Sequence, residues 1–232
     1  MKGKTIIQIV LGVVIIALAV VLYNSIMKPV RFENEYTKRR DASAEKLKAI
    51  RTLEEAYKVT YGKYTGSFDT LITRLMNEDS MRVVSKIINY DVIPEDVDIN
   101  ETPESEAVQK GYISRKEIYI NPIVKLREDG KLPIIDATGH TRQLTDEEIV
   151  NLRYVPYPKG EKNEFELQAG MLEKSGFWVP VFECKVPLSQ LLSDMDHQLV
   201  VNKIAEIEKV SGRYAGWKVG DMTQAVTDGN FE

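Results

Sequence analysis

Sulfur and imidazole are scarce in this chain: one cysteine, Cys184, and two histidines, His140 and His197, in 232 residues. A lone cysteine forms no intrachain disulfide and cannot supply a structural zinc site built on two or more thiolates. It leaves the compartment open, because neither a bacterial periplasmic domain nor a cytosolic one needs a disulfide. A basic surplus is missing too. The formal net charge is −4 and the pI near 5.5, whereas nucleic-acid binders carry an excess of Lys and Arg. Nucleic acid is therefore not an expected partner. The phosphate loop, the dinucleotide fingerprint, the metalloprotease helix and the nucleophile elbow are all absent. No catalytic, cofactor-binding or metal-binding residues are assigned, and no cofactor is expected.

Two combinations of the scarce groups still offer chemistry, and either would make the chain an anchored hydrolase. One pairs Cys184 with His197 or His140 as nucleophile and base. The other gathers Asp194, Asp196 and His197 around a metal. Each has a plainer reading. Strand alternation puts Cys184 on one face with Trp178, Pro180 and Phe182, where cysteine serves as a small core residue. A charged helix start explains the two aspartates. Asp96, Asp98 and Asn100 open like a calcium loop. The pattern then fails at Glu101, where glycine is needed, and at Ala107, where the last ligand belongs.

What the chain does have is an apolar run from Ile6 to Tyr23, interrupted by little more than Gln8 and Gly12. As a helix it spans roughly 27 Å at ~1.5 Å per residue, close to the ~30 Å hydrocarbon core. Ile6, Ile9, Val13, Ile16 and Val20 represent the anchor. Lys2, Lys4 and Ala17-Leu18-Ala19 outline a cleavable signal, but Val20-Val21-Leu22-Tyr23 carries the apolar run past the cut, so an uncleaved anchor is expected. No cysteine lies near it for a lipid. The short basic head is the usual exporting arrangement, although Lys28, Arg31, Lys38, Arg39 and Arg40 pull the other way. The expectation is a single-pass protein of the bacterial inner membrane with its C-terminal domain in the periplasm.

Three segments follow: head and anchor over 1–28, an amphipathic stalk helix over 29–66, and a soluble α+β domain over 67–232. Lys28-Pro29 is expected to end or kink the anchor helix, since proline lacks a donor and disfavours helical dihedrals before it. Beyond it Tyr36, Ser43, Leu47, Ile50, Tyr57 and Tyr61 form one stripe. It either lies on its own domain or pairs two chains as a homodimer. In the second case Leu47, Ile50, Tyr57 and Tyr61 are the partner contacts, although Arg40 and Glu54 fall at seam positions. Gly62 caps the helix.

Ser67 caps a short helix to about Asn77, and 82–89 reads as a strand. The acidic, Pro-punctuated stretch 91–106 reads as an exposed loop or linker. Strands are expected at 117–120 and 123–126, and a capping box at Thr145–Glu148 opens another helix. The clearest hairpin joins 164–172 to 177–186 through Lys174-Ser175-Gly176. Helices at 188–194 and 197–210 and a strand at 217–219 complete a small, mainly antiparallel sheet with a helix over one face.

Gly3, Lys4-Thr5-Ile6-Ile7-Gln8, the long apolar helix and Tyr61-Gly62-Lys63-Tyr64-Thr65-Gly66-Ser67 together resemble type IV pilins and type II secretion pseudopilins. That resemblance covers about the first third of the chain. It implies processing after Gly3, a long N-terminal helix leading to a Tyr-Gly-Lys-Tyr-like turn, and a small sheet. Lys4 stands where the family's methylated aromatic would be, Gln8 replaces the membrane carboxylate, and Pro29 comes later than usual. The layout of short basic head, single span, helical stalk and α+β domain is also similar to the bitopic scaffold proteins of pilus and secretion platforms. The chain further looks like uncharacterised single-pass proteins of the Bacteroidota. The expected function is thus a non-enzymatic scaffold whose partners are the bilayer and other envelope-assembly proteins, with a pilin-like filament subunit as the alternative.

Overall fold

A computed structural model describes residues 2–94, 97–135, 138–210 and 212–232, the side chains of 2, 4–6 and 210 excepted. Helix α1 runs from Lys2 to Tyr61 as one piece of 60 residues with Pro29 inside it. The helix therefore does not end at Lys28-Pro29. Proline removes one helical hydrogen bond and costs ~3 kcal/mol in a helix interior, but the helix is held on both sides of Pro29. Lys28 donates to Asp196 at 2.8 Å, and the rings of Phe32, Tyr36 and Trp217 pack in series. Gly62, at φ 75°, ends the helix by donating to the Lys58 carbonyl at 2.8 Å.

Helix α2 (Phe68–Asn77) starts at Ser67, whose Oγ accepts from the Thr70 amide, and buries Phe68, Leu71 and Leu75. Strand β1 (Met81–Ile88) then leads through a 3-10 turn and helix α3 (Glu104–Gln109) into β2 (Ile113–Ile120). The two strands pair antiparallel from Met81↔Ile120 to Ile88↔Ile113. The acidic stretch is thus the long tip of a two-stranded arm, closed by a cluster of Ala107, Tyr112 and Ile113. Glu95 and Asp96 lie outside the described residues.

The strand expected at 123–126 is instead helix α4 (Pro122–Glu128). Asn121 accepts from the Ile123 and Val124 amides, Pro122 fits the first turn, and the buried pair Ile123 and Leu126 is spaced by three. A short hairpin, β3 (Pro133–Ile135) with β4 (Thr141–Gln143), was not anticipated. Helix α5 (Asp146–Val150) carries the full Thr145/Glu148 capping box. Strands β5 (Glu166–Lys174) and β6 (Phe177–Pro187) form the foreseen hairpin. Its two turn residues, Ser175 (φ 54°) and Gly176 (φ 83°), are both left-handed, matching the strands' twist.

Helices α6 (Leu188–Leu191) and α7 (His197–Ala205) follow, α7 running on as a π-helical turn, Glu206–Val210. Strand β7 (Gly216–Gly220) adds to β6, giving the order β5-β6-β7. The fold is α+β as expected. The helix laid over the sheet is α1, however, and not the 197–210 segment. Leu47, Ile50, Leu53 and Tyr57 of α1 share one core with Phe182, Cys184, Val186 and Val219 of the sheet. Burying each such side chain contributes about 1.5–3 kcal/mol to the domain's stability.

Candidate functional site

The residues that offered chemistry are occupied structurally. Cys184 is fully buried in the core, and burial pushes its thiol well above the ordinary range, further raised by Glu54 and Glu183. That is the setting of an inert thiol. Asp194 is clamped by Arg39, whose Nη1 and Nη2 donate to its two oxygens at 2.5 and 3.0 Å. Asp196 caps α7 through the Leu199 amide at 3.2 Å and pairs with Lys28. His197 is exposed at the first turn of α7, and His140 lies beside Thr138 in the β3–β4 turn. Among the described residues no three His, Cys, Asp or Glu side chains gather as metal ligands would.

The anchor residues are arranged as a span requires. Ile9, Val13, Ile16 and Val20 are all more than half exposed, and none of this apolar window is covered by the domain. The side chain of Ile6 lies outside the described residues. By length and composition the helix is compatible with a membrane span.

The stripe expected to meet a partner turns inward. Leu47 and Ile50 are fully buried and Tyr57 nearly so, while Tyr61 is half-buried against Tyr57 and donates to Glu78 at 2.6 Å. This corrects their assignment as partner contacts. The stripe was long enough for either use, and the sheet face of β6 and β7 supplied a closer apolar surface than a second chain. Arg39 reinforces the seam: besides Asp194 it bonds Glu35 and the Leu191 carbonyl (2.9 Å) and stacks over Tyr157.

In the sequence Glu54 stands as a misfit in the apolar stripe. It is fully buried, its Oε2 accepts from the Thr65 amide at 3.0 Å, and its Oε1 has no partner. Burial pushes its carboxyl up to about 8, against the relief supplied by Thr65. It therefore sits in the core as a neutral acid at pH 7, tying the turn after α1 to the helix. Only its position among apolar neighbours at 50, 53 and 57 could have signalled this from sequence.

The surfaces left open lie elsewhere. The β1–β2 arm exposes Val84, Ile87 and Tyr119, and its tip Tyr90, Val92 and Val108. One face of its stem carries Arg82, Lys86, Arg115 and Glu117 by strand register. A two-stranded ribbon exposed on both faces is marginal alone. The β5–β6 tip shows Phe177, Trp178 and Met171. Between α1 and the β3–β4 hairpin lies a cleft of about 460 Å³, floored by Ala49, Leu132 and Ile134 and rimmed by Lys48, Arg51 and Lys131. No family model, no curated protein and no solved structure matches this chain.

Proposed function

We propose that this protein is a membrane-anchored, non-enzymatic subunit of a bacterial envelope assembly, a secretion or pilus-like system, and that it works by docking other proteins. Its body stands on the periplasmic side of the inner membrane. One observation carries the reading: the same helix is bare and apolar over a bilayer's thickness, then becomes the central element of a water-soluble core. The body cannot leave the bilayer without drawing the apolar half of its own core helix into water. With the α1 stripe consumed internally, the exposed β1–β2 arm is the docking element.

The test uses the full chain in its native membrane. A photo-cross-linker at Tyr119 should trap a defined protein, and Val84→Glu should abolish that adduct while carbonate washing still leaves the chain in the membrane. Release of the intact chain by carbonate would overturn the anchor. Adducts unaffected by Val84→Glu would overturn the arm.

A second reading, a pilin-like filament subunit, is favoured by the unbroken passage of α1 through Pro29 and by the antiparallel sheet packed on its second half. It requires removal of Met1 to Gly3, so the mass of the mature N-terminus decides it.

A further inference from the structure

We propose that the N-terminal turn of α7, together with the loop before it, rests on the phospholipid headgroups. This surface lies outside the anchor and fixes the height and tilt of the whole domain. The inference builds on the anchored reading above.

The apolar stretch and the domain are joined without slack. The apolar stretch ends at Met27, and the very next residue, Lys28, reaches Asp196 at the start of α7. Phe32 is already buried at 6 % exposure, and Glu33 pairs with Lys203 of α7 at 3.0 Å. At ~1.5 Å per residue, Phe32 lies roughly 7 Å beyond Met27 along the axis. The headgroup zone of one leaflet is itself about 5–8 Å deep. Because α1 is unbroken, no hinge lifts the domain away. Asp196, His197 and Gln198 must then sit at headgroup depth.

The chemistry there suits a zwitterionic or anionic lipid surface. Lys28 and Arg31 are exposed cations at the helix exit, and His197, Gln198 and Asn202 offer exposed polar groups. Val201 is 43 % exposed one turn along α7, while Val200 beside it points into the core. The nearby carboxylates are neutralised: Asp196 by Lys28 and the Leu199 amide, Glu33 by Lys203. Polar groups with long cationic stems at a membrane exit are the usual interfacial composition.

The opposite end of the domain supplies a control. The Pro187 end of β6 pairs with Gly216, next to Trp217, which touches Tyr36 near the helix exit. Lys174, paired with Phe177, is at the other end of the hairpin, roughly 33 Å along the strand at ~3.3 Å per residue.

The experiment places a nitroxide on the full chain in phosphatidylcholine/phosphatidylglycerol nanodiscs, at Gln198→Cys, Val14→Cys or Lys174→Cys, one at a time. Native Cys184 is buried and does not compete for label. Lipid phosphorus relaxation should be enhanced from Gln198 and not from Lys174. The oxygen-to-nickel collision ratio at Gln198 should fall between those of Val14 and Lys174. If Gln198 matches Lys174 in both readouts while Val14 reports hydrocarbon, the headgroup contact is refuted and the anchor stands. If Val14 also matches Lys174, the anchored reading fails and takes this inference with it.

Discussion

Glu54 gives the sharpest test of how the core is built. Its carboxyl is fully buried and its proton is held to about pH 8, whereas in the unfolded chain it leaves near the ordinary 4.5. Between those values the folded state keeps a proton that the unfolded state has lost, so stability must fall as pH rises. The contribution is complete below pH 4.5, declines at ~1.4 kcal/mol per pH unit, and is gone above about 8. Integrated over that window the loss is about 3–5 kcal/mol. Glu54→Gln keeps an oxygen for the Thr65 amide and removes the titration. The variant should therefore match the parent near pH 4.5 and exceed it at pH 8. A domain of this size shifts by ~2–4 °C per kcal/mol, so the difference at pH 8 is roughly 6–20 °C in Tm. Thermal unfolding of the full chain in nanodiscs, followed by tryptophan fluorescence from pH 4.5 to 8.5, reads it directly. Glu148 and Asp221, held down to about 2 by Arg142 and Lys218, titrate below this range and do not interfere. A parent and variant whose Tm difference is independent of pH would refute the buried neutral acid.

Two further substitutions probe helix α1 where its apolar half meets the domain. Arg39→Ala strands the Leu191 carbonyl and removes both bonds to Asp194, which is partly exposed and can recover water. The expected cost is about 2–3 kcal/mol, read as a lower denaturation midpoint with an unchanged slope. Pro29→Ala restores a donor within an already continuous helix, so it should stabilise by about 1–3 kcal/mol and leave the domain contacts intact. Loss of the Lys28–Asp196 pairing or lowered stability in that variant would mean that proline shapes the exit and is not merely tolerated there.

Much of the local architecture was legible because its causes are local. Ser67 and Thr145 each announce a helix by accepting amides within it, and Ser175-Gly176 announces a tight hairpin because both residues must turn left-handed. Where the outcome depends on what lies across the core, the same residues permit two answers. Ile123-Val124-Lys125-Leu126 is as apolar as a strand, and only the cap from Asn121 with Pro122 at the first turn decides for α4. Pro29 breaks a helix that stands alone. Here the Lys28–Asp196 bond and the Phe32–Tyr36–Trp217 packing hold the geometry from 168 residues or more away in the chain.

The same non-locality explains why the candidate site moved. An amphipathic stripe states only that one face must leave water, not which surface receives it. Leu47, Ile50 and Tyr57 would satisfy a second copy of the helix or a sheet equally well. Within one chain the sheet wins, because its effective concentration beside the helix exceeds that of any separate partner. Glu54 is what distinguishes the two cases in retrospect. A carboxyl at a dimer seam would face its own copy, whereas on this domain it finds the Thr65 amide of the turn that follows the same helix. The burial of that one acid and its bond to Thr65 therefore mark α1 as a core helix of its own domain.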